Sequence, residues 1–108
     1  MTVGQISEKL ELKAVTVCDA DRTAEGVYIG DLLSWVMGRA STDDVWITIM
    51  SNINIVAVAA LADVACIILA EDVEVDEDVK LTAKEKEINI FTSSKTAYEL
   101  ATELSALI

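Results

Sequence analysis

The sequence predicts an α/β domain in three layers, αβα, with helices on both faces of a mainly parallel central sheet. Three observations carry this reading. Hydrophobic residues make up 53% of the 108-residue chain and aromatics only 5%, so burial falls to Val, Ile, Leu and Ala, the residues of parallel strands covered on both faces. Two short β-rich runs, 45–49 and 65–69, are almost wholly apolar, as interior strands are. From about residue 29 onward the elements alternate α-β-α-β-α-β-α, an order that implies parallel strands joined by right-handed crossovers. The length suits a single domain, 1–108.

Taken in order, Val3, Ile6 and Leu10 recur at helical spacing and predict a first helix of about two turns. Lys13–Val17 follows as a strand. The polar run from Cys18 to Gly26 reads as a loop that ends in the short strand Val27-Tyr28-Ile29. Ile29, Leu32, Leu33, Val36 and Met37 form the stripe of a second helix, with Asp31 near its start and Gly38 near its end. Trp35 lies off that stripe, so it either closes the core from the side or packs on a partner chain. Asp44–Met50 is an interior strand. Asn54 is suited to cap Ile55–Ala62, a helix apolar around its whole circumference. Such a helix needs cover on more than one side. The expectation is therefore a homodimer, with Trp35, Ile55, Val58 and Ala59 at its interface.

Ala65–Leu69 is the next interior strand, and the acidic stretch Glu71–Asp78 leads into a helix at about Glu77–Glu87. Its acids crowd the first turn, with Lys80, Lys84 and Lys86 later, as the helix dipole prefers. Ile88–Phe91 is the last strand. Ser93 or Ser94 can cap a closing helix whose buried face is Ala97, Leu100, Ala101, Leu104 and Leu107.

Nineteen acids against eight bases leave a net charge of −11, which repels a phosphate backbone and an anionic membrane surface alike. Neither nucleic acid nor membrane is an expected partner. The apolar run Ile53–Ala70 approaches the length of a spanning helix, but Asn54 and Asp63 interrupt it. An Asp in such a span costs about 2.5–3.5 kcal/mol, so the run reads as a buried helix followed by a buried strand. No basic and apolar export signal opens the chain, and the expected location is cytoplasmic. Cys18 and Cys66 lack CxxC spacing and suggest neither a disulfide nor a metal cage.

The chain has no His, no GxGxxG, no GxxxxGK and no GxSxG, so the commonest general base, the phosphate loops and the nucleophile elbow are all missing. Catalysis would rest on carboxylates alone, and the expectation is a non-enzymatic module without a cofactor. The acids 71–78 read as a solvated helix start or, alternatively, as a divalent-cation site, although they lack the spacing and central Gly of a calcium loop. In open α/β sheets ligands bind beyond the carboxyl ends of the strands. The predicted strands bring four loops there: Cys18–Glu25, Met50–Asn54, Ala70–Val73 and Thr92–Lys95. Ser51, Asn52, Asn54, Thr92 and Ser93 are small, polar and next to helix starts. They are suited either to capping or to holding a small polar metabolite, which makes a ligand sensor the alternative to an interaction module.

The strings Gly26-Val27-Tyr28-Ile29-Gly30-Asp31-Leu32-Leu33, Val45-Trp46-Ile47-Thr48-Ile49, Asn54-Ile55-Val56-Ala57-Val58-Ala59, Ile67-Ile68-Leu69 and Tyr98-Glu99-Leu100-Ala101 together resemble the DRTGG domain family across nearly the whole chain. The resemblance implies an α/β module of unassigned biochemical role, distantly like the N-terminal domain of HPr kinase. Such modules occur alone, beside CBS-type regulatory domains or attached to phosphate acetyltransferases, settings that imply regulation; this chain looks like a stand-alone bacterial member. The family's Gly-Asp-Arg would fall on Met50, Ser51 and Asn52, and its Thr-Gly-Gly on Ala70, Glu71 and Asp72, so both name-giving motifs are replaced. The string Asp21-Arg22-Thr23 lies outside both positions. Losing the Arg and the Gly-rich turn removes the groups best suited to holding a phosphate.

Overall fold

A computed structural model describes all residues, Met1–Ile108. The elements are α1 (Val3–Lys9), β1 (Lys13–Thr16), β2 (Gly26–Ile29), α2 (Leu33–Arg39), β3 (Asp44–Thr48), α3 (Asn54–Ala62), β4 (Cys66–Leu69), α4 (Glu77–Glu85), β5 (Ile90–Thr92) and α5 (Ala97–Ser105). They form one five-stranded sheet in the order β1-β5-β4-β3-β2. Strands β2 to β5 are parallel, each beside the one before it, and β1 runs antiparallel at the edge next to β5. Because the three crossovers advance in one direction with one hand, α2, α3 and α4 share a face of the sheet. The other face is covered by α1 and α5.

The register sorts the side chains into these two layers. Trp46, Ile67 and Ile90 stand in one row across β3, β4 and β5 and pack against Val56, Ala59, Val79 and Ala83 of α3 and α4. The adjacent row, Ile47, Ile68 and Phe91, faces Val3, Ile6, Leu100 and Leu104 of α1 and α5. Both faces of each central strand are therefore buried, which is why β3 and β4 read as unbroken apolar runs and not as alternating ones. The run Ile53–Ala70 resolves into α3 and β4, and no helix is long and apolar enough to cross a membrane. Cys66 is enclosed in the second layer, where desolvation pushes its thiol up to about 12 against a smaller opposing effect of the Arg22 charge. Cys18 is exposed, and both thiols are free.

Several local expectations are corrected. The final helix is capped by Thr96 in a reciprocal box with Glu99 rather than by Ser93 or Ser94. Asn54 is the first residue of α3 rather than its cap, and its N–H donates to Asn52 Oδ1 at 2.9 Å. In α2 only Val36 is fully buried, while Leu32 and Met37 are exposed. Ile29 belongs to β2. Packed chiefly against α3, α2 buries only one line of side chains.

The interface expectation changes most. Ile55, Val58 and Ala59 are buried in the chain's own core, against the sheet and neighbouring helices, and cannot meet another subunit. Trp35 is 52% exposed, with the Arg39 guanidinium 3.6 Å from its ring centroid. The outward side of α3 consists of Asn54, Ala57, Ala60 and Leu61, with Ile53 just before it.

Candidate functional site

The antiparallel direction of β1 sends the Cys18–Glu25 loop to the opposite end of the molecule, so it leaves the predicted ligand end. Its place at the carboxyl ends is taken by the turn after β2. There the Asp31 carboxylate accepts from Thr48 Oγ1 at 2.8 Å and from the Ile49 N–H at 3.0 Å, tying the ends of β2 and β3 together. After β4, Glu71 and Asp72 hold positive φ values of 60 and 56, a region that favours glycine because a Cβ crowds the backbone there. Hydrogen bonds hold that shape: the N–H groups of Ala70, Glu71 and Asp72 donate to the carbonyls of Thr48, Lys95 and Ser93.

The connections from β2, β3 and β4 all turn to one face, while the chain leaving β5 turns to the other. A crevice therefore opens between the ends of β4 and β5. One groove of about 470 Å³ runs from there along β1 beside α4, bordered by Lys13, Asp72, Glu74, Glu77, Lys80 and Thr92 among others. A smaller one of about 250 Å³ adjoins it, bordered by Lys13, Asp72, Thr92, Ser93, Ser94 and Lys95. Lys95 is engaged already, donating to Glu103 Oε2 at 2.8 Å and to the Leu10 carbonyl at 3.3 Å.

Of the five residues expected to contact a ligand, Thr92 and Ser93 meet in this crevice. Ser51 and Asn52 line no groove, and Asn54 borders a separate one of about 440 Å³ between α3 and α4. The sequence reading placed Asp72, in the loop Ala70–Val73, at this end but missed Lys13 and Lys80 as crevice residues. Lys13 arrives through a non-local antiparallel pairing with Thr92, for which no local pattern exists. No three His, Cys, Asp or Glu side chains gather to hold a metal ion, so the acids 71–78 do not converge on a common point.

The amino ends of the parallel strands are built differently. Asn89 is buried, accepting through Oδ1 from the Cys18 and Asp19 N–H groups and donating through Nδ2 to the Asp19 and Ala65 carbonyls. Thr16 Oγ1 donates to the Ile88 carbonyl at 2.8 Å. Arg22 donates to Asp43 Oδ1 at 2.8 Å, to Asp63 Oδ1 at 2.9 Å and to the Asp63 carbonyl at 2.6 Å. Partial burial opposes its charge, yet the hydrogen bonds and charges of Asp43 and Asp63 prevail and raise its pKa above the ordinary value. Arg22 thus clasps the starts of α3's exit and β3 and is not free for an anion.

Residues 11–107 match the DRTGG domain. The chain belongs to the DRTGG domain family. No curated protein matches it. Among solved structures it is similar to the CBS and DRTGG domains of the regulatory region of Clostridium perfringens pyrophosphatase, a structure complexed with the activator diadenosine tetraphosphate. The TM-score is 0.76 at 14% identity, over 94% of this chain and 44% of that one. The DRTGG chain described here thus spans less than half of that neighbour. At this identity the likeness speaks for the fold. The match begins after α1, so the helix that seals the α5 side lies outside the matched segment. In this DRTGG domain, Glu71 and Asp72 take left-handed backbone.

Proposed function

We propose that this DRTGG domain is a non-enzymatic regulatory and interaction module that forms a homodimer through the outward faces of α2 and α3. The observation that carries this reading is the distribution of charge. Residues 45–62 contain no charged side chain, and residues 32–42 contain only Arg39, in a chain of net charge −11. Ile53, Ala57, Ala60 and Leu61 follow one another at i, i+4, i+7 and i+8 on the solvent side of α3, and Leu61 is 75% exposed. Trp35 on the neighbouring α2 and Leu32 just before that helix add exposed apolar surface. Two strongly acidic copies can approach only where neither presents its acids, and an isologous contact needs an apolar patch that complements itself. The regulatory setting of the structural neighbour agrees with a module that acts by association.

Sedimentation at micromolar concentration tests the reading. The expected result is a dimer that Leu61→Lys converts to a folded monomer; a compact monomer for the unaltered chain would sink it.

The ligand-sensor reading narrows to Thr92 and Ser93 in the β4–β5 crevice. Diadenosine tetraphosphate gains little from that crevice, because the N–H groups of residues 70–72 are all spent on carbonyls and Asp72, Glu74 and Glu77 at its border offset Lys13 and Lys80.

A further inference from the structure

We propose that the outer edge of β1 receives an extended, acidic segment of a different protein, added to the sheet as a further strand alongside Lys80 and Lys84. β1 is the terminal strand, so the backbone groups on its outer side have no strand partner. Two grooves run along it in succession. The first is the one bordered by Lys13, Ala14 and Val15; the second, of about 400 Å³, is bordered by Val15 through Cys18 and by Lys80 and Lys84. Val15 and Lys80 border both, which makes them one trough between the strand and α4. Val17, which borders the second groove, is 49% exposed and gives it an apolar floor.

The bulge in β1 falls between Ala14 and Thr16, near Lys13. Those two features guard Lys13–Thr16 against casual pairing, whereas Val17, exposed just beyond the last paired residue of β1, carries neither. Charge then selects the occupant. Lys80 and Lys84 lie one helical turn apart, border the same groove and make no ion pair, while Arg22 and Lys95 are both committed to acids. Two cations at that spacing disfavour one another until an anion comes between them. No acid borders the groove over Val15–Cys18. Asp72, Glu74 and Glu77 do border the groove near Lys13, so carboxylates of the incoming segment belong over Thr16–Cys18 and uncharged residues belong over Ala14. This difference sets the register of the added strand. The chain's net charge opposes the approach of an acidic partner only at long range, and at physiological salt it is screened beyond about 8 Å.

A second copy of this chain fits the edge badly. Antiparallel β1–β1 pairing would bring Lys13, Lys80 and Lys84 of both copies to a single seam, and like charges across strands are destabilising. Its acidic stretch cannot serve as the donor either, because Val73 and Val75 anchor it to its own core.

A titration of the isotopically labelled full chain with a short, end-blocked peptide of alternating valine and glutamate tests the proposal, with the valine–lysine peptide as control. The expected result is amide shifts confined to residues 13–18 and 80–84, with the dissociation constant raised about tenfold in a folded Lys80→Gln/Lys84→Gln variant. Shifts centred elsewhere, no shifts, equal binding of the lysine peptide, self-association along β1 or unchanged affinity in the double variant would each overturn it.

Discussion

At the amino ends of the parallel strands, side chains reach across elements and bind them together, whereas at the carboxyl ends the backbone does most of that work. Asn89, Thr16 and Arg22 place eight donor–acceptor contacts at the first end, linking segments as distant in sequence as Cys18 and Asn89. At the second end a turn in left-handed backbone is held by carbonyls of β3 and of the loop after β5, and open grooves lie beside it. The difference lies in how each end is held, since a groove of about 360 Å³ bordered by Arg22 and Asn89 lies at the amino end as well. A buried, satisfied side-chain network fixes one arrangement of its neighbours, while a left-handed turn beside solvent is held by backbone hydrogen bonds alone.

The contrast can be broken most severely at Asn89. Asn89→Ala leaves the partners of its amide without replacements, and the expected loss is about 3 kcal/mol in urea unfolding, with the amino-end loops losing hydrogen-exchange protection first. The next largest effect belongs to Cys66 at the start of β4. Its folded-state pKa stands above the ordinary 9.0, near 12, so the native state holds the proton more tightly than the unfolded chain. That contribution is complete below the unfolded value and fades as pH rises from there towards the folded one. Raising the pH from about 8 to about 10.5 is expected to lower the stability of the unaltered chain by about 2 kcal/mol more than that of Cys66→Ala, measured by denaturant midpoints.

Arg22→Met removes a clasp that is partly exposed, as are its two aspartates, so screening limits the expected loss to about 1 kcal/mol. The smallest effect has the opposite sign and lies at the other end. Glu71→Gly relieves a left-handed position but loosens the unfolded chain, and the expected net gain is about 0.5 kcal/mol, read as a small rise in thermal midpoint. A loss there instead would mean that the Glu71 side chain contributes an interaction the backbone geometry does not explain.

How the chain turns its corners shows where local pattern stops being informative. Six non-glycine residues have positive φ, and all are acidic: Glu11, Asp43, Asp63, Glu71, Asp72 and Glu87. None of the four glycines does. Glu11, Asp63 and Glu87 close α1, α3 and α4, and the following residue's N–H reaches back to Ser7, Ala59 and Ala83 respectively. Glycine is the usual signal for such an ending, so the ends of these helices could be placed only through the loss of apolar periodicity. The candidate site was half legible for a related reason. Thr92 and Ser93 announce themselves as polar residues at the end of an apolar strand, but Lys13 and Lys80 look like ordinary surface lysines until β1 and α4 are set beside one another.

By itself the sequence determined the layered α/β class, the order of the elements and the parallel interior of the sheet. Double-faced burial writes unbroken apolar runs into β3 and β4, and helical crossovers write their own period between them. Only the tertiary structure decided that β1 runs antiparallel beside β5, that α3 hides Ile55, Val58 and Ala59 while leaving Leu61 in solvent, and that acids could occupy left-handed turns. Each of these depends on what lies across the sheet from a residue, and a one-dimensional pattern records a residue's own preference without recording its distant neighbours.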